Sequence, residues 1–275
     1  MRPDRRLIRL GAWLAAVLLA ACGGNEVRDT PPTGSAVIPD LPGSAVPRAE
    51  PPSRYGNGPV YEVLGKTYSV LPTSSGFQER GVASWYGEQF HGKPTSSREP
   101  YDMYSMTAAH KTLPLPTYVR VRNLRNNKSV IVRVNDRGPF VHNRIIDLSY
   151  AAALKLDMVA DGTSLVEISA ISFDAPPGDR PVRATRAPAN PPAATATQAR
   201  SFVQVGAFGS RENADRRKTL LAQNGIDNVL IHTDASVSPA LYRVRIGPIH
   251  EVVQYDIIVT KLESLGITDP YLVPE

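Results

Sequence analysis

The sequence predicts a mainly β chain with an added α+β part. A small closed β-barrel comes first, and a compact ferredoxin-like module of βαββαβ order follows it. Three observations carry this. Short runs of alternating apolar and polar residues, separated by turn signals, fill 81–173. A strand, helix, strand, strand, helix, strand order can be read over 201–275. Prolines, 25 in all, cluster between 31 and 59 and between 176 and 192, where no apolar periodicity exists.

With 275 residues the chain is long enough for two modest domains. Its charge is +5, from Lys+Arg 31 against Asp+Glu 26. The excess is scattered, and no basic run alternates with aromatics, so nucleic acid is not an expected partner. A mildly basic balance suits an acidic polymer such as a cell-wall glycan. A single cysteine excludes an intramolecular disulfide framework and any multi-cysteine zinc site. No zinc motif or phosphate loop occurs, and no cofactor is expected.

That cysteine, Cys22, ends an export signal. Arg2, Arg5, Arg6 and Arg9 precede an apolar run over 10–21 that is too short for a comfortable membrane span. Leu19-Ala20-Ala21-Cys22 resembles a bacterial lipobox. The resemblance implies cleavage of 1–21, lipidation of Cys22, and a membrane anchor. Gly23 in the next position implies the outer membrane and its periplasmic face. From 22 to 59 the composition reads as a disordered tether.

The first folded part is expected over 60–173. The alternation in 61–70 reads as a strand packed onto the domain. A short strand follows at 81–86. The runs 117–124 and 129–135, joined by Asn126-Asn127-Lys128, read as a hairpin. Ser149 is a plausible helix N-cap for the residues after it, and 162–173 is a closing strand. A linker spans 174–200. In 201–275, strands are expected at 202–208, 227–232, 241–248 and 271–273, with helices at 211–224 and 251–265.

Ala83-Ser84-Trp85-Tyr86-Gly87, Thr107-Ala108-Ala109-His110-Lys111-Thr112-Leu113-Pro114 and Asn135-Asp136-Arg137-Gly138-Pro139-Phe140 occur in that order. Together they resemble the double-psi β-barrel of the rare lipoprotein A family of septal lytic transglycosylases. Such enzymes cut the MurNAc–GlcNAc linkage of peptidoglycan without water. The muramic acid 6-hydroxyl closes on its own C1 and leaves a 1,6-anhydro end. One carboxyl can then act first as acid and later as base. The resemblance maps the family's functional groups onto Asp136 and Glu99, with His110 as companion.

On residue type alone each has a competing account. Asp136 could be a turn-forming Asp, Glu99 a solvated loop charge, and His110 a structural histidine. Asp147, before Leu148-Ser149, matches an important Asp of expansin-like barrels and is a substrate-binding candidate, with helix capping as the other account. Trp85 and Tyr86 could stack on sugars or fill a core. One departure stands out. In the loop before Glu99, Ser96 and Arg98 replace the alanine and glycine the family usually carries. If that position needs φ > 0, Arg98 is strained or the loop is redrawn, and its charge would lower the Glu99 pKa. A non-catalytic, expansin-like peptidoglycan-binding lipoprotein is therefore the alternative reading.

Val203-Gln204-Val205-Gly206-Ala207-Phe208 and Tyr242-Arg243-Val244-Arg245-Ile246-Gly247-Pro248 resemble the SPOR module, which binds glycan strands stripped of stem peptides at division septa. This implies Gln204 and Arg243 as glycan contacts, with a solvated strand face as the competing account for Arg243 and Arg245. It also implies peptide-free glycan strands as substrate and division-septum proteins as further partners. Leu241 stands where some members carry tryptophan.

Overall fold

The computed structural model describes residues 40–141, 143–173 and 200–275. The export signal, Cys22, the first part of the expected tether and nearly all of the second linker lie outside the described residues.

β1 (Val60–Val63) and β2 (Lys66–Ser69) form an antiparallel hairpin where the alternation suggested one strand. Leu64 and Gly65 take φ of 52° and 73°, the paired positive values of a two-residue hairpin turn. Tyr61 and Tyr68 face each other across this ladder and stack at 5.3 Å. Phe140 lies against both rings, and the Tyr61 hydroxyl donates to the Lys111 carbonyl at 2.7 Å.

The barrel closes through β3 (Gln78–Tyr86), β4 (Thr107–His110), β5 (Thr117–Asn123), β6 (Ser129–Asp136), β7 (Arg144–Ser149) and β8 (Ser164–Ala170), in the order β3-β7-β4-β6-β5-β8. β3 runs parallel to β7 and β4 parallel to β6; the other neighbours are antiparallel. The expected hairpin is β5–β6, with Val119 opposite Val132 and Val121 opposite Val130. Those four side chains, with Ala83, Trp85, Ala108, Val134, Ile146 and Leu148, are buried in one core cluster. Because strand side chains alternate, the residues between them face outward. Ser149 caps α1 (Tyr150–Lys155) by accepting from the Ala152 amide at 3.3 Å. β4 and β7 were not expected as strands: Thr-Ala-Ala-His is poor in β-branched residues, and β7 is six residues long.

The composition also misleads at 40–59, read as part of a disordered tether. This segment lies along the barrel without regular structure. The Ala45 amide donates to the Ile131 carbonyl at 2.8 Å and the Ser53 amide to the Leu115 carbonyl at 2.7 Å. The Asn57 side chain pairs with both backbone groups of Leu115, donating at 2.6 Å and accepting at 2.7 Å. Side chains thus satisfy backbone that a strand ladder would otherwise pair.

The second unit holds β9 (Ser201–Phe208), α2 (Arg211–Gln223), β10 (Val229–Asp234), β11 (Leu241–Ile249), α3 (Val252–Ser264) and β12 (Tyr271–Pro274), the βαββαβ order expected. Its antiparallel sheet runs β10-β11-β9-β12. Val203, Val244 and Ile246 pack with Leu221, Val259 and Leu262 of the helices. Val82 and Leu165, from the barrel's outer face, are buried in the same cluster. Arg80 Nη1 reaches Ser201 Oγ at 3.4 Å, and Arg144 lies 4.0 Å from Asp256.

Asn123, fully buried at the end of β5, ties the barrel's closing corner. Its amide donates to the Leu156 carbonyl at 3.0 Å, and its oxygen accepts from Arg125 N and Ser164 Oγ at 2.9 and 3.0 Å. Asn123→Ala leaves these groups unpaired in the interior and should cost about 1–3 kcal/mol, measured as a lowered denaturation midpoint.

Candidate functional site

The register places four residues in one row across four strands. Ser84 of β3 pairs with Asp147 of β7, Asp147 with Ala109 of β4, and Ala109 with Asp136 of β6. Paired residues share a face, and this one is the barrel's outer face. Asp136 and Asp147 flank the small Ala109 from opposite sides, so their Cα atoms are roughly 10 Å apart, two strand spacings. The strip of outer face between the two carboxylates is the candidate groove; Ala109 between them is itself 4% exposed.

Asp136 is held on one oxygen only. Its Oδ1 accepts from Ser96 N at 2.8 Å, Ser96 Oγ at 2.6 Å and Arg137 N at 2.7 Å. Among the described residues Oδ2 takes no hydrogen bond, which leaves that atom to a ligand. Asp147 Oδ1 accepts from Ser84 Oγ. Its charge also acts on Lys111, whose ammonium donates to the Arg144 carbonyl at 2.6 Å. Burial pulls that ammonium's pKa down, and Glu79 and Asp147 oppose it.

The loop 94–100 touches both expected catalytic carboxyls. Its ends meet through Pro94 and Pro100, and Thr95 N donates to the Glu99 carbonyl at 2.8 Å. Ser96 turns to Asp136. Glu99 turns instead to Arg133, which grips it with Nη1 at 2.7 Å and Nη2 at 3.0 Å, and to Asn135 Nδ2 at 2.8 Å. Partial burial pushes the Glu99 pKa up, but these donors and the Arg133 charge outweigh it and hold the carboxyl below its ordinary range. Arg98 is not the cause. It does take the glycine-like φ, 73°, and its guanidinium sits 5.3 Å above the Tyr55 ring.

His110 follows Ala109 on β4, so its side chain points to the opposite side from Asp136. The ring is 2% exposed. Nδ1 accepts from the Thr112 and Leu113 amides, both at 3.1 Å, and Nε2 faces Glu79 Oε2 at 3.4 Å. The two amides assign the proton to Nε2. Burial drives the pKa down, Glu79 opposes it, and the net shift is downward. The structure does not bring the His110 ring to the Asp136 carboxylate. The connection is through the backbone: Arg137 Nη1 donates to the carbonyls of His110 at 3.2 Å and Leu113 at 2.5 Å.

Trp85 and Tyr86 separate as neighbours on a strand must. Trp85, 4% exposed, faces the interior and packs on Tyr150, so it offers no sugar platform. Tyr86 faces the groove side, stacked on Tyr101 at 4.1 Å. Its hydroxyl is buried and faces that of Thr107 without closing a hydrogen bond to it. Burial, with nearby Tyr101, Asp136 and Asp147, pushes its pKa well up, so it remains a neutral donor.

In the second unit, Gln204 and Arg243 share the sheet face away from the helices. Arg245 joins them: it pairs with Gln204 in register, and its Nε donates to Gln204 Oε1 at 3.3 Å. Gln204 Nε2 donates to the hydroxyl of Tyr271, whose side is half exposed. Arg243 is paired with Asp234 at 2.9 and 2.7 Å. Hydrogen bonds from Ser236 and Arg243 hold the Asp234 carboxyl at about 2.

The site residues whose roles were not read from sequence are Ser96, Arg133, Arg137 and Tyr271. Arg133 had a signal: it is a charge inside the apolar alternation Val130, Val132, Val134. Tyr271 had one too, an aromatic on the last strand. Ser96 stood out only as a departure from the family's loop, and its role could not be read because the loop folds back by 40 residues to reach Asp136.

A family model described as lytic transglycolase matches residues 78–168, and one described as SPOR domain matches 197–274. Two curated relatives carry the name endolytic peptidoglycan transglycosylase RlpA. The chain is 37% identical to the one from Pseudomonas aeruginosa over 300 residues, covering 87% of this chain and 88% of that protein. It is 50% identical to the one from Vibrio cholerae over 174 residues, covering 61% of this chain and 65% of that protein, just under two thirds of its length. A third, from Neisseria meningitidis with the same name, is 44% identical over 190 residues, covering 68% and 72%. A double-psi barrel with the groove motifs, followed by a SPOR unit, in a chain that aligns with a relative over nearly its whole length, places this protein in the RlpA family.

Proposed function

We propose that the barrel is an endolytic lytic transglycosylase that cuts the MurNAc–GlcNAc linkage of peptide-free peptidoglycan strands. The carrying observation is Asp136: three donors fix one carboxylate oxygen, and the other takes no hydrogen bond from the described residues. A protonated Oδ2 gives its proton to the glycosidic oxygen as the C1–O bond breaks. As a carboxylate it then takes the proton of the muramic acid 6-hydroxyl while O6 bonds to C1. The proton count returns to its start, and no water is consumed.

Glu99 supplies a standing negative charge rather than a proton, since Arg133 and Asn135 keep it ionised. That charge favours an oxocarbenium-like centre in a partly water-excluded groove. Asp147 lies in the same row and suits sugar hydroxyl and N-acetyl groups, while the buried Tyr86 hydroxyl stays beneath the surface. His110 is a positioning group, acting through the turn whose carbonyls hold Arg137.

The SPOR unit holds the same polymer. Arg243 and Arg245 form a polar strip, the buried Gln204 holds Arg245 and Tyr271 from beneath, and Tyr271 at the sheet edge supplies an aromatic surface in place of the tryptophan that Leu241 lacks. Two modules on one strand raise the local substrate concentration. A lipid on Cys22 would keep the enzyme at the outer membrane's periplasmic face, and the SPOR unit would enrich it at the septum.

An expansin-like binder is the second reading, favoured by the clamped Glu99, which leaves the groove with one open carboxyl. Mass spectrometry of digests of peptide-free strands separates the two. Anhydro ends support the transglycosylase, reducing ends a hydrolase, and retention without new ends the binder.

Asp136→Asn should lower anhydro-product release by roughly 10²–10⁴-fold with the melting temperature kept; wild-type release would remove Asp136 from the chemistry. Tyr271→Ala should weaken retention on peptide-free strands about tenfold, the scale of a truncated interface aromatic. Co-sedimentation reads this, and the groove's turnover on short soluble strands should be unchanged.

A further inference from the structure

Residues 44–58 precede the part of the chain matched to the lytic transglycolase family, yet they touch the supports of both carboxylates. Glu50 stands at the centre of one contact. Its Oε1 accepts from Arg133 Nε at 3.1 Å, its Oε2 from Arg133 Nη2 at 2.8 Å, and the Tyr118 hydroxyl donates to it from the side. Arg133 gives its other edge to Glu99. The guanidinium is therefore forked on two sides, with Glu50 behind it and Glu99 in front. The Glu50 side chain is 16% exposed and that of Arg133 is 19%, so water does little to hold either.

The second contact serves Asp136. Gly56 has φ of +77°, and a Cβ there would lie 2.8 Å from Leu115 Cδ1 and 3.0 Å from the Ser96 carbonyl oxygen. Ser96 is the residue that donates twice to Asp136. The Gly56 carbonyl accepts from Arg137 Nε at 2.8 Å, and Asn57 Oδ1 accepts from Arg137 Nη2 at 3.2 Å. Arg137 N is the third donor to Asp136.

We propose that residues 44–58 are a positioning strap for the groove, and that Glu50 is its working residue: by holding the rear edge of Arg133 it fixes the front edge as the fork for Glu99. The proposal rests on the reading of Glu99 as a site residue. It extends that reading to a segment whose composition alone suggests a tether.

The sign of one measurement decides it. A free arginine side chain has many rotamers, and a fork held from behind loses fewer of them on engaging a carboxylate. If Glu50 positions Arg133, removing it lets the guanidinium swing away and the Glu99 carboxyl titrate higher. If Glu50 only repels Glu99 through space, removing it makes Glu99 titrate lower. In Glu50→Ala, carboxyl ¹³C titration of Glu99 should move up toward the ordinary range. In Glu50→Gln, which keeps an oxygen for Arg133, Glu99 should titrate at or below its wild-type position. Turnover should follow: about a tenfold lower kcat with KM within twofold for the alanine variant, and near-wild-type kcat for the glutamine variant. A Glu99 titration that stays put or moves down in Glu50→Ala, or a kcat within twofold of wild type, overturns the strap. Should Glu50→Ala fail to fold, Tyr118→Phe keeps the charge and removes a support from Glu50; a smaller upward shift supports the strap and an unmoved titration overturns it. If wild-type protein releases no products, the functional reading fails, and the titration alone then decides the strap.

Discussion

Arg133 is the residue around which this barrel face is arranged. A guanidinium on a strand of alternating valines cannot be left unpaired once loops cover it, because desolvation of an isolated charge costs several kcal/mol. Two carboxylates, Glu50 from before the barrel and Glu99 from the 94–100 loop, meet that demand. The partners also constrain each other, since a planar donor with two engaged edges fixes both acceptors in one plane. Glu50 itself is held at about 2 by the same arrangement: burial pulls its carboxyl upward, and Arg133 and Tyr118 outweigh that. One cation thus orders two irregular segments that have no regular secondary structure of their own.

The groove depends on a second constraint, the parallel pairing of β4 with β6 inside a mostly antiparallel barrel. It sets the end of β6 beside Ala109, while β7 pairs with Ala109 from the other side. A register shift between Ala108 and Ala109 puts Asp136, rather than Asn135, opposite Ala109 and in line with Asp147. Asn135 is thereby turned toward Glu99. Adjacent residues of one motif serve different carboxylates because a strand alternates and a bulge resets the alternation.

The legible part of the sequence was the local part. The β5–β6 hairpin, the Ser149 cap and all six elements of the second unit follow from period, turn residues and caps, each within a few residues of its position. β6 ends at Asp136, one residue past the expected run. What was not legible is what closes over distance. Segment 40–59 is rich in proline and small residues, which reads as disorder, yet its order comes from Asn57 copying a backbone pair and from Glu50 finding Arg133, 83 positions later. His110 was legible as a special residue but not by role: only the fold shows that its ring faces Glu79 while its carbonyl faces Arg137. Trp85 and Tyr86 could not be told apart until the strand's inward face was known.

Arg98 joins the strap to the one departure from the family's pattern. A non-glycine residue in the left-handed region costs on the order of 1 kcal/mol. Arg98 adopts that conformation at φ 73°, so something offsets the cost. The offset on the structure is Tyr55, whose ring lies beneath the Arg98 guanidinium, an exposed cation–π contact of about 0.5–1 kcal/mol. Tyr55 belongs to the strap and precedes Gly56, which presses on the Ser96 carbonyl. Arg98 and the segment that lies over it are therefore coupled: a strained backbone position in the loop is held by a side-chain contact from the strap. Ser96 and Glu99, in the same loop as Arg98, make their bonds to Asp136 and Arg133.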